Sequence, residues 1–449
     1  MGRYDVKTRI LRALCLFLAV AALASLFALP CSAAVSFRNE LDTYAQSVFM
    51  QSIDTGETVY EKASLVRRSP ASLTKIMTAL LVIESCEDPE KETVTVPNNQ
   101  MFDEIRAVGG VNIALQEGET ISVKDLLYAI MLPSACDAAE LLAWHFGKGN
   151  VNNFVNAMNA RAQGLGLENT HFGNPHGLEA TLHYSCAADI AVILSEAMKH
   201  PLFREIISTL SYTIPATNKK DARTIQYTIA MLSPGSSYYY EGMLGVKSGY
   251  TGPAGRCLAT TATRNGMSYL LVVMGANLDP DQATQNKNLA YDDTKALYDY
   301  AFNNFQLNEA VKAGESYHTL TVENGQQSTV NLVAKKSTSL LCYKNAQLSY
   351  KIEAPERVQA PVSTETVGKL KIYFGEECLA EVELVPENAV AAVATTVTNK
   401  PSPYTGSAHG NILTNDPVTV ILLLSLAVIV LLTVLLTTLV RLAKNTRKR

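Results

Sequence analysis

The sequence predicts an α/β domain of ordinary enzyme size, followed by a small all-β domain and a C-terminal membrane helix. Three observations carry this. Up to about residue 305, long helical apolar patterns alternate with strand-like runs; beyond it, only short strand-like pieces separated by turn residues remain; and both ends of the chain carry uncharged apolar stretches next to basic residues. At 449 residues and 47% apolar composition, the chain is long enough for two or three domains with cores of their own.

Arg3, Lys7, Arg9 and Arg12 precede an apolar run over residues 13–29, which closes on Pro30, Cys31, Ser32, Ala33 and Ala34. Residues 1–34 therefore read as a secretory signal peptide, with small Ser32 and Ala34 at the cleavage site. Bulky Leu29 and Pro30 argue against a lipid anchor on Cys31.

Residues 35–305 form the expected α/β domain, with helices over 73–84 and 123–132 and strands over 258–263 and 269–274. Residues 306–388 form the all-β domain, with strand-like runs at 320–322, 370–374 and 381–385. From 389 to 416 Ala, Thr, Pro, Ser, Gly and Asn dominate without periodicity, the composition of a flexible stalk. Residues 417–441 are the expected transmembrane helix; the uncharged run 418–440 is long enough, at about 1.5 Å per residue, to cross a hydrocarbon core of roughly 30 Å. Arg441, Lys444, Arg447, Lys448 and Arg449 follow, so the tail 442–449 belongs on the cytoplasmic side and everything between the two apolar ends outside.

Without leader and tail, 29 basic residues face 41 acidic ones, a formal net charge of −12. Such a surface excludes nucleic acid as a natural partner. Six cysteines remain outside: Cys86, Cys136, Cys186, Cys257, Cys342 and Cys378. Their wide, irregular spacing implies no metal site and favours mostly free buried thiols.

Three segments carry chemistry. The first is Pro70-Ala71-Ser72-Leu73-Thr74-Lys75, leading into the apolar helix. Residues three apart share a helix face, so the Lys75 amine can reach the Ser72 hydroxyl. Burial in so apolar a segment lowers the proton affinity of the amine and makes it a base for serine. The second is Ser134-Ala135-Cys136, after the helix ending at Leu132. The third is Lys247-Ser248-Gly249, followed by Tyr250 and an apolar strand. A cation, a hydroxyl and a glycine on a strand edge suit an extended peptide that ends in a carboxylate.

In this order and spacing the three resemble the serine penicillin-recognising enzymes, whose motifs are S-x-x-K, S-x-N and K-T-G. Residues 70–75, 131–139, the run Asn174-Pro175-His176-Gly177-Leu178 with His183-Tyr184-Ser185, and 245–258 are similar to the low-molecular-mass D-alanyl-D-alanine carboxypeptidases. The likeness extends over roughly residues 36–388. It implies a β-lactamase/transpeptidase-like α/β domain, with a mainly antiparallel sheet flanked by helices, and then a β-sandwich. It further implies Ser72 as nucleophile, Lys75 as its general base, and Ser134 as the hydroxyl that passes a proton to the leaving D-alanine. Lys247, Ser248 and Gly249 would hold the substrate end, and the backbone N–H groups of Ser72 and Tyr250 would form the oxyanion hole. The substrate would be a peptidoglycan pentapeptide, β-lactams would be covalent inhibitors, and neither a metal nor an organic cofactor is required.

Two departures from the family pattern stand out. Cys136 occupies the position of an Asn, replacing an amide by a weak thiol donor. The Arg usual before the helix that ends the catalytic domain is missing near residues 290–300, with Lys287 or Arg256 as candidate replacements. His176 and His183 read as structural hydrogen-bonding residues with no carboxylate placed beside them by spacing. A β-lactamase is disfavoured by the lack of an E-x-x-L-N segment and by the extra domain, stalk and anchor. A membrane-tethered penicillin sensor that turns over poorly because of Cys136 is the rival from another class.

Overall fold

The computed structural model describes residues 41–277 and 287–393. The leader, most of the stalk, the apolar run 417–441 and the basic tail lie outside the described residues. Among the described residues no helix is long and apolar enough to cross a membrane.

An antiparallel sheet of five strands organises the first part: β1 (Ser47–Ser52), β2 (Thr58–Lys62), β3 (Met243–Thr251), β4 (Gly255–Arg264) and β5 (Met267–Ala276), in the order β2-β1-β5-β4-β3. Strand β5 is apolar at nearly every position because both its faces are covered. Leu270, Val272 and Met274 enter one core, whereas Tyr269, Leu271 and Val273 enter another. The period-two alternation of a strand thus feeds two helical layers from one continuous apolar run.

The first layer centres on helix α1 (Thr74–Ser85), whose residues Thr74 to Val82 are all buried. A helix apolar on every side can only be internal. Helices α2 (Val123–Met131), α3 (Cys136–Phe146) and α4 (Ala187–Ala197) pack around it. On the opposite face of the sheet lies α5 (Leu289–Asn304), which contributes Leu297, Tyr298, Ala301 and Phe302. The sequence placed helices over 73–84 and 123–132, within a residue of their observed bounds.

After α5 the chain becomes all β. Strand Phe305–Val311 pairs with Thr338–Tyr343, and six further strands make a second sheet. Val311, Leu340 and Cys342 of the small sheet share a core with Leu320, Leu332, Leu370, Ile372, Val382 and Leu384 of the large one. Two sheets face to face over one core are a β-sandwich. Phe305 and Leu341, on the other side of the small sheet, are buried in the core of the α/β part, so this pair of strands joins the two units. None of the six described cysteines forms a disulfide; five are buried and Cys378 is half-buried.

Buried Asp293 on α5 accepts from the backbone N–H groups of Tyr44 at 2.9 Å and Ala45 at 2.7 Å, fastening the start of β1 to the last helix. Replacing Asp293 by Ala strands at least the buried Ala45 donor, at a cost of about 1–3 kcal/mol. Denaturant unfolding is expected to show this loss; unchanged stability would mean the contact is dispensable.

Candidate active site

The residues before α1 turn sharply. Pro70 leads into a 3₁₀ turn over Ala71–Leu73, and Ala71 adopts a positive φ of 46°, uncommon for a residue with a side chain. Ser72 therefore sits in a tight turn just ahead of α1 rather than within its first α-helical turn, the place the sequence pattern suggested. Two glycines make room for the turn. A Cβ on Gly177 would stand 1.9 Å from the Ala71 carbonyl oxygen, and one on Gly249 would stand 2.8 Å from the Ser72 nitrogen. Both contacts are with backbone and cannot yield, so only glycine fits at either position.

Lys75, one helical turn on, has no solvent exposure. Its Nζ lies 3.1 Å from Ser72 Oγ and 3.4 Å from Cys136 Sγ, and donates to the His176 carbonyl oxygen at 2.6 Å. Burial holds its pKa below the ordinary lysine value, while Cys136 and Asp137 act in the opposite direction. Asp137 does not pair with the amine; its carboxylate accepts from the backbone N–H groups of Ile113, Leu115 and Ala138. That grip, with a 2.6 Å bond from Cys136 N to Val111 O, seats the segment 111–115 beside the start of α3.

Lys247 is also wholly buried, its Nζ donating to Ser248 O at 2.8 Å. Desolvation first, and then the nearby Lys75, pull its pKa well below the usual value. Neither lysine makes an ion pair among the described residues. Two amines whose burial disfavours their charge, neither with a carboxylate partner, suit a site that needs a neutral base.

Lys247, Ser248, Gly249 and Tyr250 lie on β3, the strand at the open edge of the five-stranded sheet. Ser248 Oγ is 3.3 Å from Thr228 Oγ1, and the exposed Tyr250 ring lies under the Arg256 guanidinium, 5.2 Å from its carbon. Ser134 is buried between α2 and α3 with φ 72°, two residues from the cysteine that touches Lys75. Among the described residues no hydrogen bond joins its hydroxyl to Ser72, Lys75 or Lys247. Of the two candidate substitutes for the missing Arg, Arg256 stands across the ladder from Tyr250, whereas Lys287 is exposed and its carbonyl is held by Asn277.

The histidines do more than spacing revealed. His176 supplies the carbonyl that holds Lys75, its Nδ1 accepts from Leu178 N, and Glu140 approaches its Nε2 to 3.7 Å. The sequence reading placed no carboxylate there, because Glu140 reaches it from α3, some thirty-six positions away. Burial lifts the Glu140 carboxyl to about 7, and burial with the nearby Lys75 lowers His176 to about 3. His183, lowered by burial to about 4, accepts from Gly173 N and contacts the Thr74 hydroxyl.

Against known families, residues 34–278 match the D-alanyl-D-alanine carboxypeptidase family. The chain belongs to that family. Residues 305–392 match the penicillin-binding protein 5 C-terminal domain. A relative, D-alanyl-D-alanine carboxypeptidase DacF of Bacillus subtilis, is 32% identical over 349 residues, 76% of this chain and 85% of its own length. The crystal structure of penicillin-binding protein 5 from Haemophilus influenzae superposes with a TM-score of 0.62 at 26% identity, over 79% of this chain and 99% of that one. The Streptomyces K15 DD-transpeptidase matches at 32% identity and a TM-score of 0.52, over 59% of this chain and 99% of that one. Its solved variants include a serine changed to alanine and, two positions on, a cysteine changed to asparagine, the spacing that separates Ser134 and Cys136 here. The chain is a serine-type carboxypeptidase of the penicillin-binding class, with the transpeptidase-like fold and a C-terminal domain.

Two outcomes are expected in this carboxypeptidase. Gly249→Ala pushes a methyl group onto the Ser72 backbone, and a displacement of that order lowers acylation about a hundredfold; an unaffected rate would show that the turn tolerates the contact. Cys136→Ala removes a group that favours charged Lys75, so the acid limb of the acylation rate moves to lower pH; a limb that stays or moves upward would contradict this electrostatic account.

Proposed function

We propose that this carboxypeptidase removes the terminal D-alanine from peptidoglycan stem pentapeptides through an acyl-enzyme on Ser72. The observation that carries the reading is Lys75, buried without a counter-charge, 3.1 Å from the Ser72 hydroxyl and oriented by the His176 carbonyl. Neutral Lys75 takes the Ser72 proton as Oγ attacks the penultimate D-alanine carbonyl. The oxygen of the tetrahedral intermediate is stabilised by the N–H groups of Ser72 and Tyr250. Ser134 relays the proton to the amine of the departing D-alanine, the C–N bond breaks, and water then hydrolyses the ester to restore Ser72.

The extended substrate lies along the open edge of β3, where Lys247, Ser248 and Gly249 meet it. Buried Lys247 acts on the substrate end from beneath the strand, and the hydroxyl of Ser248 faces the peptide end. Penicillins mimic the terminal dipeptide and acylate Ser72. Residues 35–305 form the catalytic domain and 306–388 the sandwich. The leader 1–34 exports the chain, and the stalk 389–416, the helix 417–441 and the tail 442–449 hold it at the membrane, with catalysis on the outer side. Trimming pentapeptides to tetrapeptides there removes donors for cross-linking.

A second reading is favoured by Cys136 alone: with a thiol at 3.4 Å from Lys75 in place of an amide, acylation persists while turnover is poor, and the protein acts as a tethered penicillin-binding sensor. D-alanine release from diacetyl-Lys-D-Ala-D-Ala by the wild type, Ser72→Ala and Cys136→Asn separates the two. The carboxypeptidase reading expects release that vanishes in Ser72→Ala. Release that survives in Ser72→Ala overturns the nucleophile assignment, and no release with Ser72 still labelled by penicillin supports the sensor.

A further inference from the structure

Ala71, in its left-handed conformation, ends a hydrogen-bonded chain that runs from Gly173 through buried His183 and Thr74. Gly173 N donates to His183 Nδ1 at 2.9 Å, so that nitrogen carries no proton. The Thr74 hydroxyl has one hydrogen, which it donates to the Ala71 carbonyl at 2.8 Å; toward His183 it can only accept. His183 Nε2, 2.9 Å away, must therefore be the protonated nitrogen. Both ends fix one neutral tautomer, and every link points toward the Ala71 oxygen.

The peptide group between Ala71 and Ser72 is planar, with the carbonyl oxygen and the Ser72 N–H on opposite sides. Whatever fixes the oxygen also aims the N–H. A positive φ at Ala71 is a conformation that a side-chain-bearing residue keeps only when its surroundings impose it. Gly177 closes the other side of the same oxygen, leaving it no room to swing.

We propose that His183 and Thr74 are positioning residues for the nucleophile, a relay that orients the Ala71–Ser72 peptide so that the Ser72 N–H and hydroxyl face the substrate carbonyl. The proposal rests on Ser72 being the nucleophile. Neither residue touches the reacting atoms; both act through the plane of one peptide group.

The test uses the full chain and five variants, Ser72→Ala among them. His183→Phe removes both hydrogen-bonding ends, and Thr74→Val removes the hydroxyl at constant shape. His183→Gln offers a carbonyl and an amide N–H at similar separation, and Thr74→Ser keeps the hydroxyl. The rate of Ser72 acylation by a penicillin, and kcat and KM for the dipeptide substrate, are measured beside thermal unfolding. Thr74→Val and His183→Phe are expected to acylate about tenfold or more slowly, with kcat reduced and KM unchanged. Thr74→Ser and His183→Gln stay close to wild type.

Wild-type rates in folded Thr74→Val and His183→Phe, with the label on Ser72, overturn the relay while leaving the nucleophile intact. Label that persists in Ser72→Ala instead defeats the nucleophile assignment and the relay with it. Should His183→Phe fail to fold, Thr74→Val and nitrogen NMR of the wild-type histidines at neutral pH decide. The relay requires His183 to be protonated on Nε2 alone, and the opposite tautomer or a charged ring refutes it.

Discussion

Everything at this site depends on an amine kept inside the protein without a counter-charge. A lysine with no exposure and no carboxylate partner is costly if charged, so the fold favours its neutral form. The three neighbours of Lys75 Nζ are a serine hydroxyl, a cysteine sulfur and a backbone carbonyl. Asp137, the carboxylate next along from Cys136, is turned away and spent on backbone N–H groups of the 111–115 segment. Lys247 is a second buried amine, and Lys75 adds to the burial that disfavours charge on it. The same arrangement would be a liability in a merely structural protein, and is what a serine nucleophile needs.

Such a site demands that backbone from distant parts of the chain converge at van der Waals distance. The turn at Ala71 and Ser72 is pressed by Gly177 from one segment and by Gly249 of β3 from another. Helix α1, buried from Thr74 to Val82, holds the turn in place, and the sheet behind it is covered on both faces, so the parts cannot drift apart without opening one of two cores. Strand β3 is at the same time the sheet edge, leaving its outer side for a peptide.

Much of this was legible in the sequence. The apolar run after Ser72 announced a buried helix because no face of it was polar, and the three-residue spacing brought Lys75 to Ser72. The change of texture after residue 305 marked the sandwich, because short alternating strands bury only one face each. Other features were hidden for physical reasons. The left-handed turn at Ala71 comes from packing against Gly177 and Gly249, and no local propensity foretells it. Glu140 meets His176 only through the placement of α3, and Lys247 reads as an exposed cation on a strand edge until the layer beneath the strand is known. The His183–Thr74 contact spans 109 residues, a distance across which spacing carries no information.

The central claim, that Ser72 is the group acylated, is tested most directly by incubating the protein with a penicillin and locating the adduct by peptide mass mapping. The account predicts one covalent adduct per chain, on Ser72 in the peptide that carries Pro70 to Lys75. An adduct on another residue, Cys136 included, or the absence of any adduct on folded protein, would contradict it.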